Sequence, residues 1–586
     1  MANNEWWQRK RVWQIHSQES RVVEQIAKEL EISTLLAKTL CSRGVVTPED
    51  GKCFLQADTA GLHDPFIMNG MELAARRINQ ALEGNELILV HGDYDADGVS
   101  ATALLVRTFR SLGGKVETFL PNRIKDGYGV SNRAIRQAEE KGVSLLITCD
   151  CGTGAVEPVS AAKAAGMDVI VVDHHEPPEE LAPAYVLLNP RIPESRYPFK
   201  DLCAAGVAFK LACAVLTQRD HLDRLHEAAH IDLAALGTVA DVVPILGENR
   251  SIVRLGLEKM ALGRRAGLRA LKNVARLKER TITANQIAFN IAPRLNAACR
   301  IDDPAIALDL LLSDDEHSAD VLAQELNRLN IQRQQKGRKA LEQAKEAIDR
   351  DVDLDKELAI VLADRRWHPG IVGIIAGRLA ESFHRPALVI ALNEEGEGTG
   401  SARSIPGFHL ADALKACSDN LIKSGGHALA AGLTIREEQL PDFQSAFNAH
   451  VQRHIDINHL TARMHVDAEA TTNELSLTNV KDLNALEPCG FRNPRPVFAL
   501  LDSIVLHREK FGRDKNHLKV RVRKGDAVLE FIGWRMAEAF DALPIGGPVD
   551  VCFTAGLNEF QGNVKLELLL KDFRTPDPVE IEYIRN

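Results

Sequence analysis

The chain has 586 residues, of which 45% are hydrophobic and 26% are charged, and its formal net charge is −10. This composition excludes a disordered or fibrous chain, and the length predicts roughly three to four domains. No stretch approaches the roughly 18 apolar residues of a membrane span, and the N-terminus lacks the apolar core of a secretion signal. We therefore expect a cytoplasmic protein with no membrane partner.

The ten cysteines are scattered along the chain, and no Cys-x-x-Cys pair occurs among them. This spacing argues against both a zinc ribbon and a disulfide framework. We expect reduced and mostly buried thiols.

Residues 1–60 are predicted to form a helical lead that contains Trp6, Trp7 and Trp13. These tryptophans either form a docking arm or pack on the core. Packing is favoured, because aromatic side chains are usually buried.

Residues 61–315 are predicted to form a parallel α/β domain. Five short apolar runs alternate there with helix-like segments: ELILVHG, KVETFLP, VSLLITCD, MDVIVVD and YVLLNP. Such alternation indicates a parallel sheet covered by helices. Residues 204–312 are mainly helical in pattern. Residues 316–352, with no proline and a single glycine, predict a long connecting helix.

Two further domains are predicted after this helix. Residues 353–455 form a second α/β block, with strands near Leu358–Ala363 and Ala387–Leu392. Residues 460–586 change to period-two runs that predict an antiparallel barrel or sandwich: HLKVRVR, AVLEFIGW, VDVCFTA and VKLELLL. The predicted fold class is thus α/β, with two α/β domains joined by a long helix and a C-terminal all-β domain.

The most informative segment is HGDYDADG, which places Asp93, Asp95 and Asp97 directly after the apolar run Leu87–Val90. Three like charges within five residues repel one another, so they are tolerable where cations or strong donors neutralise them. A solvated acidic turn is the alternative. A calcium loop is excluded, because its twelfth residue would be Leu104 and the preceding run has a strand pattern.

More candidate ligands follow later elements: Asp150 in LLITCDCG, His174 and His175 in VVDHH, and Asp241 in LGTVADVVP. The carboxyl ends of parallel strands converge on one edge, so these residues can share a cleft. Oxygen-rich ligation with one or two imidazoles favours manganese or magnesium over zinc. A carboxylate that bridges two ions would make a hydrolytic centre for a phosphoester. Asp150 or Asp241 alone is better explained as a satisfied polar group.

The second α/β domain contains a candidate phosphate site. Ser401 and Arg403 lie in GSARSIPG, and Gly426 and His427 lie in SGGHALAAG. Arginine can hold phosphate oxygens in a bidentate fork, and glycine turns let backbone donors approach closely. Ordinary turns are the alternative.

Two other segments are ambiguous by themselves. APRLNAACR carries Asn296 and Arg300, and Arg300 either contacts substrate or caps a helix C-terminus. The basic run REKFGRDKNHLKVRVRK includes Arg521 and Arg523. It is either a track for a nucleic-acid backbone or a solvated strand face.

Taken together and in this order, these segments resemble the DHH phosphoesterase superfamily, and most closely its RecJ branch of single-strand-specific DNA exonucleases. The resemblance rests on HGDYDADG, LLITCDCG, VVDHH, LGTVADVVP, APRLNAACR, WHPGIVGIIAGRLA, GSARSIPG and SGGHALAAG. It implies a DHH domain at residues 61–315, a DHHA1-type substrate-binding domain at residues 353–455 and an OB-fold at residues 460–586.

The resemblance also implies roles for single residues. Two Mn²⁺ or Mg²⁺ ions would be held by Asp93, Asp95, Asp97, Asp150, His174 and Asp241. Asp150 would bridge the two ions. Asp150, His175, Asn296 and Arg300 would be the catalytic residues, with the last three near the reacting phosphate. Nucleic acid would contact Ser401, Arg403, Gly426, His427, Arg521 and Arg523. His91 matches a superfamily ligand position that RecJ relatives need not keep, so its role stays open.

The activity that the resemblance implies is a metal-dependent 5′→3′ exonuclease in DNA recombination and repair, which threads single-stranded DNA between its two α/β domains and releases 5′-mononucleotides. It implies a monomer, with a helicase and a single-strand-binding protein as candidate partners. One alternative is a DHH phosphoesterase for short oligonucleotides or cyclic dinucleotides, and another is a scaffold that binds no metal. The C-terminal domain argues against the first, and the intact acidic residues argue against the second.

Overall fold

The computed structural model describes residues 11–123, 125–221, 225–277, 281–560, 562–575 and 581–585. Trp6 and Trp7 lie outside these ranges. The strands are Val12–His16 (β1), Leu87–His91 (β2), Lys115–Phe119 (β3), Leu145–Cys149 (β4), Asp168–Val172 (β5), Val186–Leu188 (β6), Ile360–Asp364 (β7), Ala387–Leu392 (β8), Glu397–Arg403 (β9), Lys423–Gly426 (β10), Ala430–Arg436 (β11), Arg463–Val466 (β12), Ala468–Glu469 (β13), Phe498–Phe511 (β14), His517–Lys524 (β15), Ala527–Gly533 (β16), Pro548–Phe560 (β17), Asn563–Arg574 (β18) and Ile581–Ile584 (β19).

The helices are Ser20–Glu29 (α1), Thr34–Ser42 (α2), Pro48–Gln56 (α3), Met71–Glu83 (α4), Ala96–Ser111 (α5), Asn132–Glu140 (α6), Val156–Ala164 (α7), Ala204–Thr217 (α8), Leu225–Ala228 (α9), Ile231–Ala240 (α10), Gly247–Ala261 (α11), Ala266–Val274 (α12), Ala284–Gln286 (α13), Ala292–Ile301 (α14), Ala305–Leu312 (α15), Glu316–Asp351 (α16), Val372–Phe383 (α17), Leu410–Ala416 (α18), Leu440–His454 (α19) and Leu477–Asp482 (α20). A π-helical turn, Ile287–Ile291, joins α13 to α14. Within the described ranges, every helix is too short or too polar to cross a bilayer.

The chain divides into two compact units. The parallel-sheet unit comprises Cys53–Gln334 and Glu487–Pro494, and the mixed unit comprises Met1–Lys52, Gln335–Leu486 and Arg495–Asn586.

The parallel-sheet unit is built on five strands in the order β3-β2-β4-β5-β6, and all four pairings are parallel. All five residues of β4 are buried, as expected for a strand between two helix layers. The chain runs from β2 outward to β3 and then returns to β4 on the other side of β2. The crevice between β2 and β4 is therefore a topological switch point, where open parallel sheets bind ligands.

Helices α5, α8 and α10 form a closely packed group in this unit. A Cβ atom added at Gly237 of α10 would lie 2.4 Å from the Cβ of Ala205 in α8. Glycine at this position therefore lets the two helices approach each other, which brings the C-terminal end of α10 toward the edge of the sheet.

The second α/β domain, in the mixed unit, has a sheet with the order β10-β11-β9-β8-β7. Only β7 and β8 pair in parallel, and the other three pairings are antiparallel. One core packs α16 and α17 against the sheet through residues such as Ile348 and Ile375. A second core packs α18 and α19 against it through residues such as Leu414 and Phe447.

The C-terminal domain is a closed barrel of five strands. They follow the order β14-β15-β16-β18-β17, and an additional pairing of β14 with β17 closes the ring. This confirms the predicted fold class: two α/β domains followed by an all-β barrel. A 3-10 helix, Ala537–Ala542, follows β16.

The N-terminal lead contains the helices α1, α2 and α3, but it also contains a strand that the sequence did not indicate, because β1 lies between β12 and β19 in a parallel three-stranded sheet. Trp13 on β1 is buried, and its Nε1 donates to Asp572 Oδ2 at 3.0 Å. This strand has only five residues, and both of its partners come from the far end of the chain. Local periodicity therefore could not reveal it. Trp13 packs in the core.

Candidate metal centre

The loop after β2 is held in a fixed shape by hydrogen bonds to its own backbone. Asp95 caps α5, since its Oδ1 accepts from the amides of Asp97 at 2.9 Å and Gly98 at 3.2 Å. A Cβ atom at Gly98 would lie 2.7 Å from the backbone nitrogen of Asp93. Only glycine at this position lets the helix fold back against Asp93, so the loop brings three carboxylates together.

Asp97 lies in the first turn of α5 and reaches the N-terminus of α8. Its two oxygens accept from the amides of Ala204 at 2.8 Å and Ala205 at 3.0 Å. Burial, with the charge of Asp95 as a smaller cause, raises the pKa of Asp97 to about 6. Gly237 matters here too, because a Cβ there would lie 2.4 Å from Asp97 Oδ1.

Asp150 follows β4 in a left-handed backbone conformation with φ of 65°. Such a φ is costly for a residue with a side chain and is found where the surrounding structure enforces it. The Asp150 amide donates to Val172 O at 3.0 Å, which continues the strand ladder and fixes the residue in place. Its side chain is buried, and its Oδ1 lies 3.1 Å from Nε2 of His174.

Asp173 positions the two histidines that follow it. Its Oδ1 accepts from the amides of His174 at 2.8 Å and His175 at 3.2 Å and from His175 Nδ1 at 2.8 Å. Its Oδ2 accepts from the amide and the hydroxyl of Thr153 at 3.0 and 2.7 Å. Burial alone would raise the pKa of Asp173, but the contacts from His175 and Thr153 outweigh it and lower the pKa.

These segments meet at one edge of the sheet. In the described part of the chain, candidate ligand atoms form three groups, and within each group they lie within 4.8 Å of one another. The groups are Asp150 with His174 and His175, Asp97 with His174 and Asp241, and Asp93 with Asp95 and Asp150. The structure therefore brings together all six residues that the sequence suggested as metal ligands.

The chemistry of this cluster fits divalent cations. Asp93 Oδ1 is buried and has no hydrogen-bond partner among the described residues. Burial, followed by the charges of neighbouring carboxylates, raises the pKa values of Asp93, Asp150 and Asp241 well above their usual range. Burial lowers the pKa of His174 to about 3, so its imidazole is neutral and can coordinate a metal. Oxygen ligands and a neutral imidazole suit Mn²⁺ or Mg²⁺.

His91 lies outside the three ligand groups. Its Nε2 accepts from the Ser131 amide at 3.3 Å, and its ring stacks on Phe119 with centroids 5.1 Å apart. Burial lowers its pKa to about 4. These contacts make His91 a core side chain that supports the end of β2.

Asn296 and Arg300 lie on α14, close to the acidic loop. Asn296 Oδ1 accepts from the Ala96 amide at 2.8 Å, so its side chain holds the loop at the start of α5. Burial, with the charge of Arg123 as a smaller cause, lowers the pKa of Arg300. The Asn296 contact supports the acidic loop. Direct contact of Asn296 or Arg300 with a phosphate stays a prediction.

Tyr128 is part of this site, although the sequence argument did not select it. Its hydroxyl donates to the backbone oxygen of Asp150 at 3.0 Å and lies 3.1 Å from Nδ1 of His175. The side chain is 55% exposed, so it is accessible to a ligand. A lone tyrosine in a loop without a motif gives no signal, and only the fold places it here.

In the second α/β domain, Ser401 and Arg403 lie on the sheet face that packs against α17, since a Cβ atom added at Gly373 would lie 2.9 Å from Ser401 Oγ and 3.4 Å from Arg403 Nη2. Ser401 pairs with Gly432, and Gly432 pairs with Gly425, so bare backbone lies beside the serine. A Cβ atom at Gly425 would meet open space. Arg403 is two residues further along β9, on the same face. Exposed Gly426 and His427 end β10 and begin its turn.

The two predicted basic residues of the barrel differ in their surroundings. Arg521 Nε pairs with Glu530 Oε2 at 2.8 Å, so its charge is largely compensated. Arg523 is exposed on the same strand. Nearby aromatic rings form a cluster of Phe511, His517 and Trp534, with Trp534 53% exposed.

The Asp173 contacts lead to a testable prediction. We expect Asp173→Asn to lower turnover roughly 10- to 100-fold, the range for residues that orient metal ligands. The amide that replaces the carboxylate has one acceptor oxygen in place of two, so it cannot accept from both His175 Nδ1 and Thr153. It also lacks the negative charge that holds the proton on His175 Nδ1. Metal titrations at several concentrations should partly restore activity. Asp168→Asn, at the opposite end of β5, is the matched control and should retain normal turnover.

Family models match three parts of the chain. The DHH family N-terminal domain matches residues 87–238, the DHHA1 domain matches residues 355–453, and the RecJ OB domain matches residues 466–572. The metal centre lies mostly within the first of these segments.

Similar proteins cover nearly the whole chain. The single-stranded-DNA-specific exonuclease RecJ of Bacillus subtilis is 37% identical over 561 residues, which cover 96% of this chain and 70% of that protein. The protein of the same name from Escherichia coli is 34% identical over 584 residues, covering 95% of this chain and 98% of that protein.

Solved structures match the fold as well. A crystal structure of RecJ from Thermus thermophilus in complex with Mn²⁺ has a TM-score of 0.83 and 31% identity, covering 98% of this chain and 80% of that one. The same protein in complex with Mg²⁺ has a TM-score of 0.78 and 30% identity, covering 98% of this chain and 79% of that one.

Proposed function

This chain belongs to the RecJ family, and on that premise we propose that it is a metal-dependent exonuclease that hydrolyses single-stranded DNA. The single observation that carries the proposal is the convergence of Asp93, Asp95, Asp97, Asp150, His174 and Asp241 at one sheet edge. A scaffold without metal has no use for so many buried carboxylates, because burying unpaired charge is costly.

Together these residues would bind two cations, Mn²⁺ or Mg²⁺. Asp150 and His174 each belong to two of the three ligand groups, and the carboxylate of Asp150, with its two oxygens, would be the one suited to bridge both ions. Bound divalent cations supply Lewis acidity, which acidifies a water and neutralises charge on a phosphodiester. The amides of α8 fix Asp97, and Asp173 fixes His174 and His175, so the ligands need little rearrangement.

His175 and Tyr128 are placed to act on the substrate. The Nδ1 proton of His175 faces Asp173, and this contact outweighs burial and raises the pKa of His175. The ring can thus hold a proton beside the anionic phosphate. The Tyr128 hydroxyl contacts both the His175 ring and the Asp150 backbone, and so it holds their relative positions.

The other two domains supply contacts for a strand. Ser401 and Arg403 lie beside α17 and next to the glycine backbone of Gly432, and a hydroxyl and a guanidinium at this place suit a terminal phosphate. The exposed ring of Trp534 offers a stacking surface for a base, and Arg523 offers a charge for the strand backbone. These features favour a DNA strand over a small substrate. The 5′→3′ polarity, the release of 5′-mononucleotides and a role in recombination and repair are proposed from the similarity to RecJ proteins alone.

A panel of substrates tests this function. With Mn²⁺ present, we expect single-stranded DNA to be digested to mononucleotides, while blunt duplex DNA is cut at least about 100-fold more slowly because its 5′ end must first unpair. Cyclic dinucleotides and pyrophosphate should be poor substrates. Rapid turnover of cyclic dinucleotides with an intact DNA strand would instead establish the small-substrate phosphoesterase. Efficient duplex digestion would contradict the single-strand preference.

A further inference from the structure

A cavity that is separate from the metal centre lies in the parallel-sheet unit. Its volume is about 690 Å³, within the range of small-molecule sites. Its walls come from α10, α11, α12 and the π-helical turn Ile287–Ile291. The described lining residues include none of the six candidate metal ligands, so the cavity is distinct from the metal centre.

The wall of this cavity is cationic, although the whole chain has a net charge of −10. Its described cations are Arg107, Lys259, Arg264, Arg265, Arg269 and Lys272, and its described carboxylates are Glu227 and Asp232. Two carboxylates outside the lining also pair with wall arginines, Asp314 with Arg107 and Glu316 with Arg269. The cations remain in excess when these are counted.

Backbone oxygens hold several of the cations in place. Lys259 Nζ donates to the backbone oxygen of Glu227, and Arg107 donates to that of Leu312 at 2.9 Å. A carbonyl fixes the position of a cation without cancelling its charge. Arg107, Arg264, Arg265 and Arg269 each also pair with a carboxylate, so the positive charge that the cavity offers to a ligand comes mainly from Lys259.

The remaining wall combines apolar surface with an unsatisfied polar atom. Leu236, Leu268 and Ile287 belong to the apolar part. His230 also lines the cavity, with a left-handed φ of 56°. Its Nε2 is buried and has no hydrogen-bond partner among the described residues, while its Nδ1 lies 3.5 Å from an Arg265 nitrogen. Such a wall suits a ligand with an apolar body and an anionic group.

Three helical segments connect the cavity to the metal centre. Helix α5 carries Asp97 near its start and Arg107 in the cavity wall, about 15 Å further along the helix axis. Helix α10 carries Leu236 in the wall and ends at Asp241. The π-helical turn leads directly into α14, which carries Asn296. A bound molecule that shifts these helices would also shift the metal-binding side chains that they carry.

We propose that this cavity is an inhibitory site for an organic phosphate with an apolar body, and specifically for a 5′-mononucleotide. The choice of ligand rests on the proposed function, because the nuclease reaction releases 5′-mononucleotides. Binding of the product at this second site slows the enzyme without competing with the DNA strand.

Binding of dAMP to the full-length protein tests the inference without requiring turnover. Equilibrium dialysis should detect dAMP bound to the wild type, with deoxyadenosine and inorganic phosphate each binding more weakly. Lys259→Glu should weaken this binding roughly tenfold or more, because it replaces a charge-assisted contact with repulsion. Lys163→Glu, on the exposed surface of α7, is the matched control and should bind dAMP normally.

Kinetics separate the cavity from the metal centre. With DNA as substrate, dAMP should lower kcat of the wild type with little change in KM, and Lys259→Glu should lose this inhibition while keeping its activity without dAMP. Lys272→Glu serves as a second cavity variant if thermal unfolding shows that Lys259→Glu is misfolded. Equal dAMP affinity in the cavity variants and Lys163→Glu would overturn the proposal, as would equal binding of deoxyadenosine. A protein that digests DNA but binds no dAMP would overturn this inference and leave the proposed function intact.

Discussion

Asp150→Asn is expected to lower the rate of single-stranded DNA digestion by more than about 10³-fold. The carboxylate belongs to two ligand groups, and its Oδ1 lies 3.1 Å from Nε2 of His174. An amide keeps the shape of the side chain but loses the charge that a bridging ligand must supply. Single-turnover digestion of labelled oligonucleotide at saturating enzyme measures the effect on chemistry.

DNA binding distinguishes a lost metal ligand from a misfolded protein. We expect the dissociation constant of Asp150→Asn for an oligonucleotide to stay within about threefold of the wild-type value, since most strand contacts are proposed to lie in other domains. Asp168→Asn is again the matched control, because this residue pairs with Arg77 at the opposite end of the same sheet. Full activity in Asp150→Asn would contradict the proposal that Asp150 bridges the two ions.

The second large effect concerns stability and its pH dependence. Divalent cations are expected to raise the melting temperature of the wild type by roughly 5 °C or more at pH 8, and by less than half of that at pH 6. In the metal-free protein, Asp93, Asp150 and Asp241 have raised pKa values, with burial as the largest cause. The folded state then keeps protons that the unfolded state has released.

The sign follows from this difference in bound protons. As pH rises toward and through the raised pKa values, the metal-free protein loses stability relative to its unfolded state. Cations remove this penalty, because they replace protons on the same oxygens, and their affinity rises with pH. Burial lowers the pKa of His91 to about 4, but this histidine lies outside the ligand groups, so its contribution cancels between metal-loaded and chelator-treated samples.

Differential scanning calorimetry with Mn²⁺ or with a chelator, at both pH values, makes this comparison. Asp150→Asn should lose most of the metal-dependent shift at pH 8. A shift of equal size at pH 6 and pH 8 would contradict proton displacement from the carboxylate cluster. No shift at either pH would contradict metal binding at this edge of the sheet.

The sequence predicted the parts of the fold that depend on local pattern. Buried strands such as β4 have continuous apolar runs, and Asp150 directly follows one of them, so the sheet edge could be inferred before the structure. The all-β domain followed from period-two alternation in β15 to β18, which left a barrel and a sandwich open, and the pairing of β14 with β17 decides for the barrel. The positions of most of the acidic side chains directly after strands indicated their cluster, whereas Asp241 follows helix α10.

Other features depend on contacts between distant residues and leave no local signal. Strand β1 exists because β12 and β19 flank it, and Tyr128 reaches Asp150 from a loop. The role of Gly237 depends on how closely α10 passes Asp97. The hydrogen bond from the Ala96 amide to Asn296 Oδ1 likewise joins residues that are far apart in the chain. In each case the tertiary packing decides the role, and the residue type alone does not.

The central claim is that the acidic cluster hydrolyses a DNA strand from its 5′ end. Digestion of one single-stranded oligonucleotide, labelled at the 5′ end in one sample and at the 3′ end in another, tests it most directly with Mn²⁺ present. The account predicts immediate release of labelled mononucleotide from the 5′-labelled strand and a ladder of shortening fragments from the 3′-labelled strand. Immediate release of the 3′ label, or an uncut strand in both samples, would contradict it.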